Sequence, residues 1–238
     1  LITRFVESDK VSLTCVRSIC DFLNHVCIAT PSMKPWLRPT LDLIKGWKHG
    51  CKIVGEQMRV GLKFVRDVLV GQYNARPLVS AMHRGGYKAL ESDACTTWGF
   101  GWCWLENGDC RQRQWQGEEW HWHINIMEMF AGVDALRNMA SKSLLHNACV
   151  TLVGDNTSVV GWLNKLGANS VAAQAMLREV AYLLVQQNAY VVVAWVPTDW
   201  NVRADALSRG PSYMATFMSR GSGTSWAYHS NLCRWLAS

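Results

Sequence analysis

The chain has 238 residues, of which 49% are hydrophobic and 18% are charged. This balance is ordinary for a globular protein and excludes the polar, highly charged composition of a disordered chain. No stretch approaches the roughly 18 consecutive apolar residues of a membrane span, and residues 1–10 lack the pattern of a secretory signal. We therefore expect a folded protein inside the cell, in the cytoplasm or the nucleus, without a membrane partner.

Charge is distributed unevenly along the chain. Residues 1–88 carry 14 Lys and Arg against 6 Asp and Glu, whereas residues 89–210 carry 8 against 12. A basic segment joined to an acidic one suggests a phosphate-binding surface beside a cation-binding site. From charge alone, a solvated helix face is the slightly preferred explanation of the main basic cluster. That cluster consists of Lys45, Lys48, Lys52, Arg59, Lys63 and Arg66.

The cysteine pattern excludes two common uses of this residue. The nine cysteines include no Cys-x-x-Cys pair, so neither a zinc ribbon nor a disulfide framework is indicated. Most of the thiols are expected to be small buried groups in a reducing compartment. Cys103 and Cys110 are the exception, because a hairpin at this place would let them face each other.

The N-terminal part has the periodicity of helices. Apolar residues at helical spacing predict helices over about 11–25, 40–47 and 57–70, and the prolines at 31, 35 and 39 are expected to break the first from the second. The pattern dissolves into a predicted loop over 71–86. We therefore divide the chain into a helical segment (1–87), a second domain (88–210) and a C-terminal tail (211–238).

The second domain alternates strands and helices. Three strands joined by short turns, with Asn107-Gly108 in the second turn, predict an antiparallel meander. Later strands are separated by helices and should be parallel. The expected fold class is α/β, with a five-stranded mixed sheet flanked by helices. Its predicted strands are 89–95, 98–105, 110–115, 149–154 and 190–196, and its predicted helices are 124–139, 157–166, 171–187 and 201–208.

Four acidic residues occupy places where the fold has no need of them. Asp93 interrupts a buried strand, where an uncompensated charge is costly. Asp155 ends the fourth strand, at the edge of the sheet where ligands usually bind. Glu128 and Asp205 both lie in apolar helical surroundings. Clustered carboxylates repel unless a cation joins them, and hard oxygen ligands select Mg²⁺ or Mn²⁺ rather than zinc.

The segments around these acids resemble the four acidic motifs of ribonuclease H. The segments are Glu91-Ser92-Asp93-Ala94, Asn125-Ile126-Met127-Glu128, Gly154-Asp155-Asn156-Thr157 and Asn201-Val202-Arg203-Ala204-Asp205-Ala206-Leu207-Ser208-Arg209. The last is most similar to the form in LTR and tyrosine-recombinase (DIRS-type) retroelements, where the domain follows a reverse transcriptase. Residues 1–85 then look like the thumb or connecting segment of such an enzyme.

The resemblance implies a ribonuclease H-like fold and cleavage of the RNA strand of RNA–DNA hybrids with two Mg²⁺ ions, for which Mn²⁺ substitutes. Asp93 would bridge the ions, with Glu128 and Asp205 on one side and Asp155 on the other. The polymerase domain of a polyprotein is the implied protein partner, and a retroelement particle is one implied location.

The resemblance also implies contacts with the hybrid. Asn125, Asn156 and Asn201 lie within the motifs and are the expected substrate-binding residues. Asn125 matches the Asn or Gln of the family that contacts the minor groove, and recognition would rest on groove shape and 2′-hydroxyls. An equally good explanation of Asn125 is a helix N-terminal residue that bonds its own backbone.

Two features depart from the family. The loop Val196-Pro197-Thr198-Asp199-Trp200 contains no histidine, which many relatives have before the last acid. Gly167-Ala168-Asn169 joins two helices directly, without the basic protrusion of some free-standing relatives. Hybrid binding would then depend on the basic N-terminal segment. A non-catalytic clamp of a polymerase and a transposase or resolvase acting on DNA remain alternative functions.

Two weaker patterns have simpler explanations. His121 and His123 lack a nearby third soft ligand, so a loop leading into a helix is several times more plausible than a metal site. The alternating tryptophans of the meander are explained by sheet packing more simply than by base stacking.

Overall fold

The structure, a computed structural model, describes residues 2–72, 87–106 and 108–219. Residues 73–86 of the loop predicted over 71–86, Asn107 of the predicted hairpin turn and the tail beyond residue 219 lie outside the described residues. Within the described part, no helix combines the length and apolar character that a bilayer crossing needs.

The N-terminal segment is mainly helical, but the prediction that it is wholly helical is wrong. Two short strands pair antiparallel, with Lys10 opposite Ile53 and Ser12 opposite Cys51. The helix expected from residue 11 begins only after Ser12, whose Oγ accepts a hydrogen bond from the backbone N–H of Cys15 at 3.3 Å. The elements are α1 (Ile2–Glu7), β1 (Lys10–Ser12), α2 (Leu13–Ala29), α3 (Lys34–Ile44), β2 (Cys51–Ile53), α4 (Glu56–Asp67) and a π-helical turn (Val68–Gln72).

The predicted break between the first two helices is present, with Pro31 in the turn Pro31–Met33 between α2 and α3, but Pro35 and Pro39 lie within α3. Pro35 is in the first turn, where a missing N–H costs nothing, and Pro39 is inside the helix. Because Pro39 has no N–H to give, the carbonyl oxygen of Pro35, four residues earlier, is left without its helical donor. Gln174 Nε2 and Arg178 Nε donate to this oxygen instead, at 2.9 and 3.3 Å.

The second domain has the elements that the sequence predicts, with boundaries shifted by one or two residues. Its strands are β3 (Tyr87–Ala94), β4 (Gly99–Trp104), β5 (Cys110–Gln114), β6 (Cys149–Gly154) and β7 (Tyr190–Trp195). Its helices are α5 (Ile124–Ser141), α6 (Thr157–Lys165), α7 (Val171–Gln187) and α8 (Val202–Ser208), followed by α9 (Pro211–Ser219). The helix α9 occupies the start of the expected tail, since proline is well suited to a first helical turn.

These five strands form one mixed sheet in the order β5-β4-β3-β6-β7. The pairs β3–β4 and β4–β5 are antiparallel, and β3–β6 and β6–β7 are parallel. The strands β3 and β6 are therefore neighbours whose carboxyl ends point the same way. The predicted α/β fold, a five-stranded mixed sheet flanked by helices, is confirmed.

Successive residues of β3 face helices on opposite sides of the sheet. Ser92 faces α5, where a Cβ added at Gly132 would lie 3.5 Å from its Oγ. Asp93 faces α8, whose close approach depends on its cross-strand partner Gly101. A Cβ at Gly101 would come within 2.2 Å of the Leu207 Cβ. The absent side chain thus lets α8 lie directly on the sheet beside Asp93.

The two largest buried clusters of the described residues support the two parts of the chain. One involves the mixed sheet with α5, α6 and α7, and the other joins the N-terminal helices. Between them, the rings of Trp36 and Phe64 stack with their centroids 4.4 Å apart, and the centroid of Phe64 lies 6.5 Å from that of Tyr182 in α7. In the meander, Cys103 and Cys110 pair across β4 and β5 and are joined in a disulfide, as their positions suggested.

We expect Gly101→Ala to destabilise the protein by about 1–3 kcal/mol, because the new methyl group must displace α8. The matched control is Gly161→Ala in α6, where an added Cβ meets nothing within 4 Å. That change should leave stability unchanged or raise it by up to about 1 kcal/mol, because alanine favours helix. Urea denaturation measures both, and equal stability of the two variants would contradict the tight contact.

Candidate metal centre

Asp93 is the most deeply buried acid of the predicted set. It is the second-to-last residue of β3, and only 5% of its surface is exposed. Its Oδ2 accepts a hydrogen bond of 2.7 Å from the hydroxyl of Ser208 in α8. The backbone N–H of Ala94 also donates to its carboxylate. Two fixed donors therefore orient this side chain inside the fold.

Glu128 reaches the same place from α5. The helix begins after His123, whose Nδ1 accepts from the backbone N–H of Asn125 at 3.2 Å. This contact supports the structural explanation of the histidines as a lead into the helix. Glu128 lies in the second turn, and its carboxylate accepts from the backbone N–H of Ala94. Ala94 thus links Asp93 and Glu128.

Asp155 directly follows β6, the parallel neighbour of β3. Its Oδ2 accepts a 2.6 Å hydrogen bond from the Thr198 hydroxyl, and its backbone oxygen accepts one of 2.8 Å from Trp195 Nε1. One carboxylate oxygen each of Asp93, Glu128 and Asp155 lies within 4.8 Å of the others. Three acids from two strand ends and one helix thus meet at one edge of the sheet.

The electrostatics of this cluster favour the uptake of a cation. The pKa of Asp93 is raised to about 7, mainly by burial; the Ser208 hydrogen bond lowers it, and the charges of Asp155 and Asp205 add to the rise. The pKa of Glu128 is raised to about 9 by burial, the largest cause, together with the charges of Asp93, Asp155 and Asp205. Three oxygen ligands whose negative charges repel fit a hard divalent cation.

Asp205 does not belong to the group within 4.8 Å. Its carboxylate is held by Arg209, one helical turn later, with Nε at 2.9 and 3.0 Å and a guanidinium terminal nitrogen at 2.7 Å. The carboxylate is nevertheless close enough to raise the pKa of both Asp93 and Glu128. The structure therefore brings three of the four predicted acids together and leaves the fourth beside them, neutralised by an arginine.

The three predicted asparagines have different surroundings. Asn156 Nδ2 donates to Asn125 Oδ1 at 2.9 Å, and Asn156 Oδ1 caps α6 by accepting from the backbone N–H groups of Ser158 and Val159. Asn125 and Asn156 are partly exposed beside the acids. The Asn125 side chain thus bonds a neighbouring loop rather than its own backbone.

Asn201 was predicted to bind substrate, but its side chain is fully buried and therefore cannot contact a substrate in this structure. Its Nδ2 donates to the backbone oxygen of Ser92 at 3.0 Å, which fixes the start of α8 to β3. It occupies the N-cap position of α8, but its side chain does not cap the helix. Glu91 does so instead, because its buried carboxylate accepts from the N–H groups of Arg203 and Ala204.

Sequence reasoning missed four residues that hold these acids in place. Arg209 is four residues after Asp205, the spacing at which helical side chains meet, so this contact was readable. Ser208 instead donates to Asp93, which is distant in the sequence, so no local spacing indicates its role. Glu91 lies in the first acidic motif, which assigns it no role. Thr198 lies in the loop where the expected histidine is missing, and no local spacing indicates its contact with Asp155.

Comparisons with known proteins give a likeness of fold. The sequence matches no protein-family model and no curated protein. A ribonuclease H1 isolated from compost by a metagenomic approach superposes with a TM-score of 0.40 and 17% identity, over 51% of this chain and 90% of that one. Ribonuclease H1 from the halophilic archaeon Halobacterium salinarum gives 0.38 and 20%, over 51% and 92%.

We expect the stability of the cation-free protein to fall as pH rises from about 5 to about 9. Folded-state pKa values above the unfolded values stabilise the protonated carboxyls, and that stability is lost as pH passes through about 7 for Glu91 and Asp93 and about 9 for Glu128. The measurement is urea denaturation with a chelator across this range.

Added Mg²⁺ should make the stability of the protein less dependent on pH, because the cation neutralises the ionised carboxylates. The control is the double variant Asp93→Asn and Glu128→Gln, which should show a weaker fall with pH in the chelator. Stability that is constant or rising over this pH range in the wild-type protein would contradict the raised pKa values.

Proposed function

We propose that the chain is a divalent-metal-dependent endonuclease of the ribonuclease H type, which hydrolyses the RNA strand of RNA–DNA hybrids. The observation that carries the proposal is the convergence of Asp93, Glu128 and Asp155 within 4.8 Å. These acids come from separate motifs that appear in the family's order, on a mixed sheet of the expected kind. A chance cluster has no reason to satisfy the motif order and the geometry together.

Asp93, Glu128 and Asp155 would hold the metal, and Asp205 would join them for a second ion. A bound pair of Mg²⁺ ions supplies Lewis acidity that activates a water and stabilises the leaving oxygen of a phosphodiester. The protein keeps the carboxylates ready for this use. Ser208 orients Asp93, and the Ala94 N–H fixes Asp93 and Glu128 relative to each other.

Substrate contacts are proposed for Asn125 and Asn156, whose amide groups are partly exposed beside the acids and bonded to each other. A linked amide pair presents donors and acceptors in a fixed arrangement, which suits the 2′-hydroxyls and base edges of a shallow minor groove. The excess of Lys and Arg in residues 1–88 would attract the phosphate backbone of the same substrate.

The wider context of the proposal is a retroelement reverse transcriptase. It is supported by the form of the last motif, in which Asp205 is followed by Ala206, Leu207, Ser208 and Arg209. It is also supported by a helical segment that packs against α7 through Pro35 and Phe64. A polymerase domain in the same polyprotein would then be the physiological partner.

We expect Asp93→Asn to lower cleavage of a labelled RNA–DNA hybrid in Mg²⁺ by at least about 100-fold, because metal stabilisation of the transition state is worth several kcal/mol. The control is Glu118→Gln, an exposed acid outside the cluster, which should cut at the wild-type rate. Equal activity of wild type and Asp93→Asn would remove the catalytic assignment.

The choice of substrate separates the alternative functions. The wild-type protein is offered RNA–DNA hybrid, duplex DNA and duplex RNA under the same conditions. Preference for duplex DNA would favour a transposase-type or resolvase-type nuclease. Binding of hybrid with no cleavage of any substrate would favour a non-catalytic clamp.

Arg209→Gln gives a separate test of the role of Asp205. Removing the guanidinium leaves the charge of Asp205 unpaired beside the cluster, so Mn²⁺ should bind about 30-fold more tightly, an effect of roughly 2 kcal/mol for one charge acting on a divalent ion at about 4 Å in water. Calorimetric titration measures the affinity, and Arg17→Gln on the exposed face of α2 is the control. Weaker binding would mean that Arg209 holds Asp205 in its ligand position.

A further inference from the structure

Two side chains at and just after the end of β7 donate hydrogen bonds to Asp155. Trp195, the last residue of β7, donates from Nε1 to the backbone oxygen of Asp155 at 2.8 Å. Thr198, the first residue of a short 3₁₀ turn (Thr198–Trp200), donates from Oγ1 to the Asp155 Oδ2 at 2.6 Å. We call Trp195 and Thr198 the Asp155 clasp.

The parallel pairing of β6 and β7 brings the clasp to its target. Gly154 lies opposite Trp195 in the register of the sheet, and the Val196 N–H donates to the Gly154 oxygen at 3.1 Å. The backbone on both sides of Asp155 is therefore tied to β7. These backbone contacts leave the Asp155 side chain able to rotate, and the hydrogen bond from the Thr198 hydroxyl restricts that rotation.

The clasp is poorly placed to serve stability alone. Thr198 is exposed and 47% of Trp195 is exposed, so water competes for both hydrogen bonds. An ionised carboxylate only accepts hydrogen bonds, so the Thr198 hydroxyl must be the donor. This neutral donor leaves the charge of Asp155 available, in contrast to Arg209, which neutralises Asp205.

We propose that Thr198 is a positioning residue, which orients the carboxylate of Asp155 for metal binding while Trp195 anchors the backbone that carries it. This inference rests on the proposed function, because the oriented group is one of the proposed metal ligands. Partners that orient metal ligands affect metal affinity directly. The loop that lacks a histidine thus contributes through a hydroxyl that contacts a ligand rather than through a ring.

The test compares Thr198→Val, which removes the hydroxyl and keeps the shape, with Thr198→Ser, which restores the hydroxyl. Mn²⁺ affinity is measured calorimetrically without substrate. Thr198→Val should bind Mn²⁺ about 10- to 100-fold more weakly than the wild type, the usual effect of losing such a partner, and Thr198→Ser should recover most of the affinity. Thr14→Val, at an exposed position of α2, is the control for the substitution itself.

Two further measurements separate positioning from folding. The thermal melting temperature of metal-free Thr198→Val should equal that of the wild type, because an exposed hydrogen bond contributes little. Trp195→Phe keeps an aromatic ring but loses the N–H, and it should weaken Mn²⁺ binding in the same direction. Wild-type affinity in Thr198→Val, or a Thr198→Ser variant as weak as Thr198→Val, would overturn the inference.

Failure of the proposed function has a different signature. A wild-type protein that binds Mn²⁺ but cleaves no hybrid would reject the nuclease, whereas the clasp would still be judged by the affinities of the two Thr198 variants. A wild-type protein that binds no Mn²⁺ would overturn both. In an active enzyme, Thr198→Val should lower kcat at subsaturating Mn²⁺ and leave the KM for hybrid unchanged.

Discussion

Repulsion among carboxylates at one edge of the sheet is the constraint on which the rest of this structure depends. Asp93, Glu128 and Asp155 crowd within 4.8 Å, and Asp205 is close enough to raise the pKa of two of them. Such a cluster is unfavourable without protons or a cation. Each of the four acids is accordingly held by a specific donor, and three of these donors come from the segment that begins with Thr198.

The fold meets this constraint through backbone geometry rather than through many side-chain contacts. Parallel pairing of β3 with β6 places Asp93 and Asp155 at the same edge, and the bare backbone of Gly101 lets α8 approach. Asn201 and Glu91, both buried, then join the beginning of α8 to β3. The position of the acids is therefore determined by elements that are far apart in the chain.

Much of this arrangement was readable from the sequence. Apolar periodicity and the acids that interrupt it predicted the mixed sheet and the places of Asp93 and Asp155. Asn201 was predicted to bind substrate, because the local pattern carries no information on how deeply a residue at the start of a helix is buried. The contact of Arg209 with Asp205 follows helical spacing and was readable. The contact of Thr198 with Asp155 joins distant parts of the chain and depends on side-chain direction, which the pattern does not encode. In α3, an interior proline was tolerated because a distant helix satisfies the released carbonyl, and a local rule has no access to that partner.

Helix α7 binds the carbonyl of Pro35 and packs against both buried clusters. One face of α7 contributes Ala173, Leu177 and Val180 to the cluster under the sheet, while Val185 packs against the N-terminal cluster. Removal of the first 70 residues would leave Gln174 and Arg178 without their shared acceptor and would further expose the ring of Tyr182, of which 48% is already exposed. The N-terminal helices therefore cover one face of α7 in the domain that carries the acids. A sheet domain without them would be prone to self-association through α7.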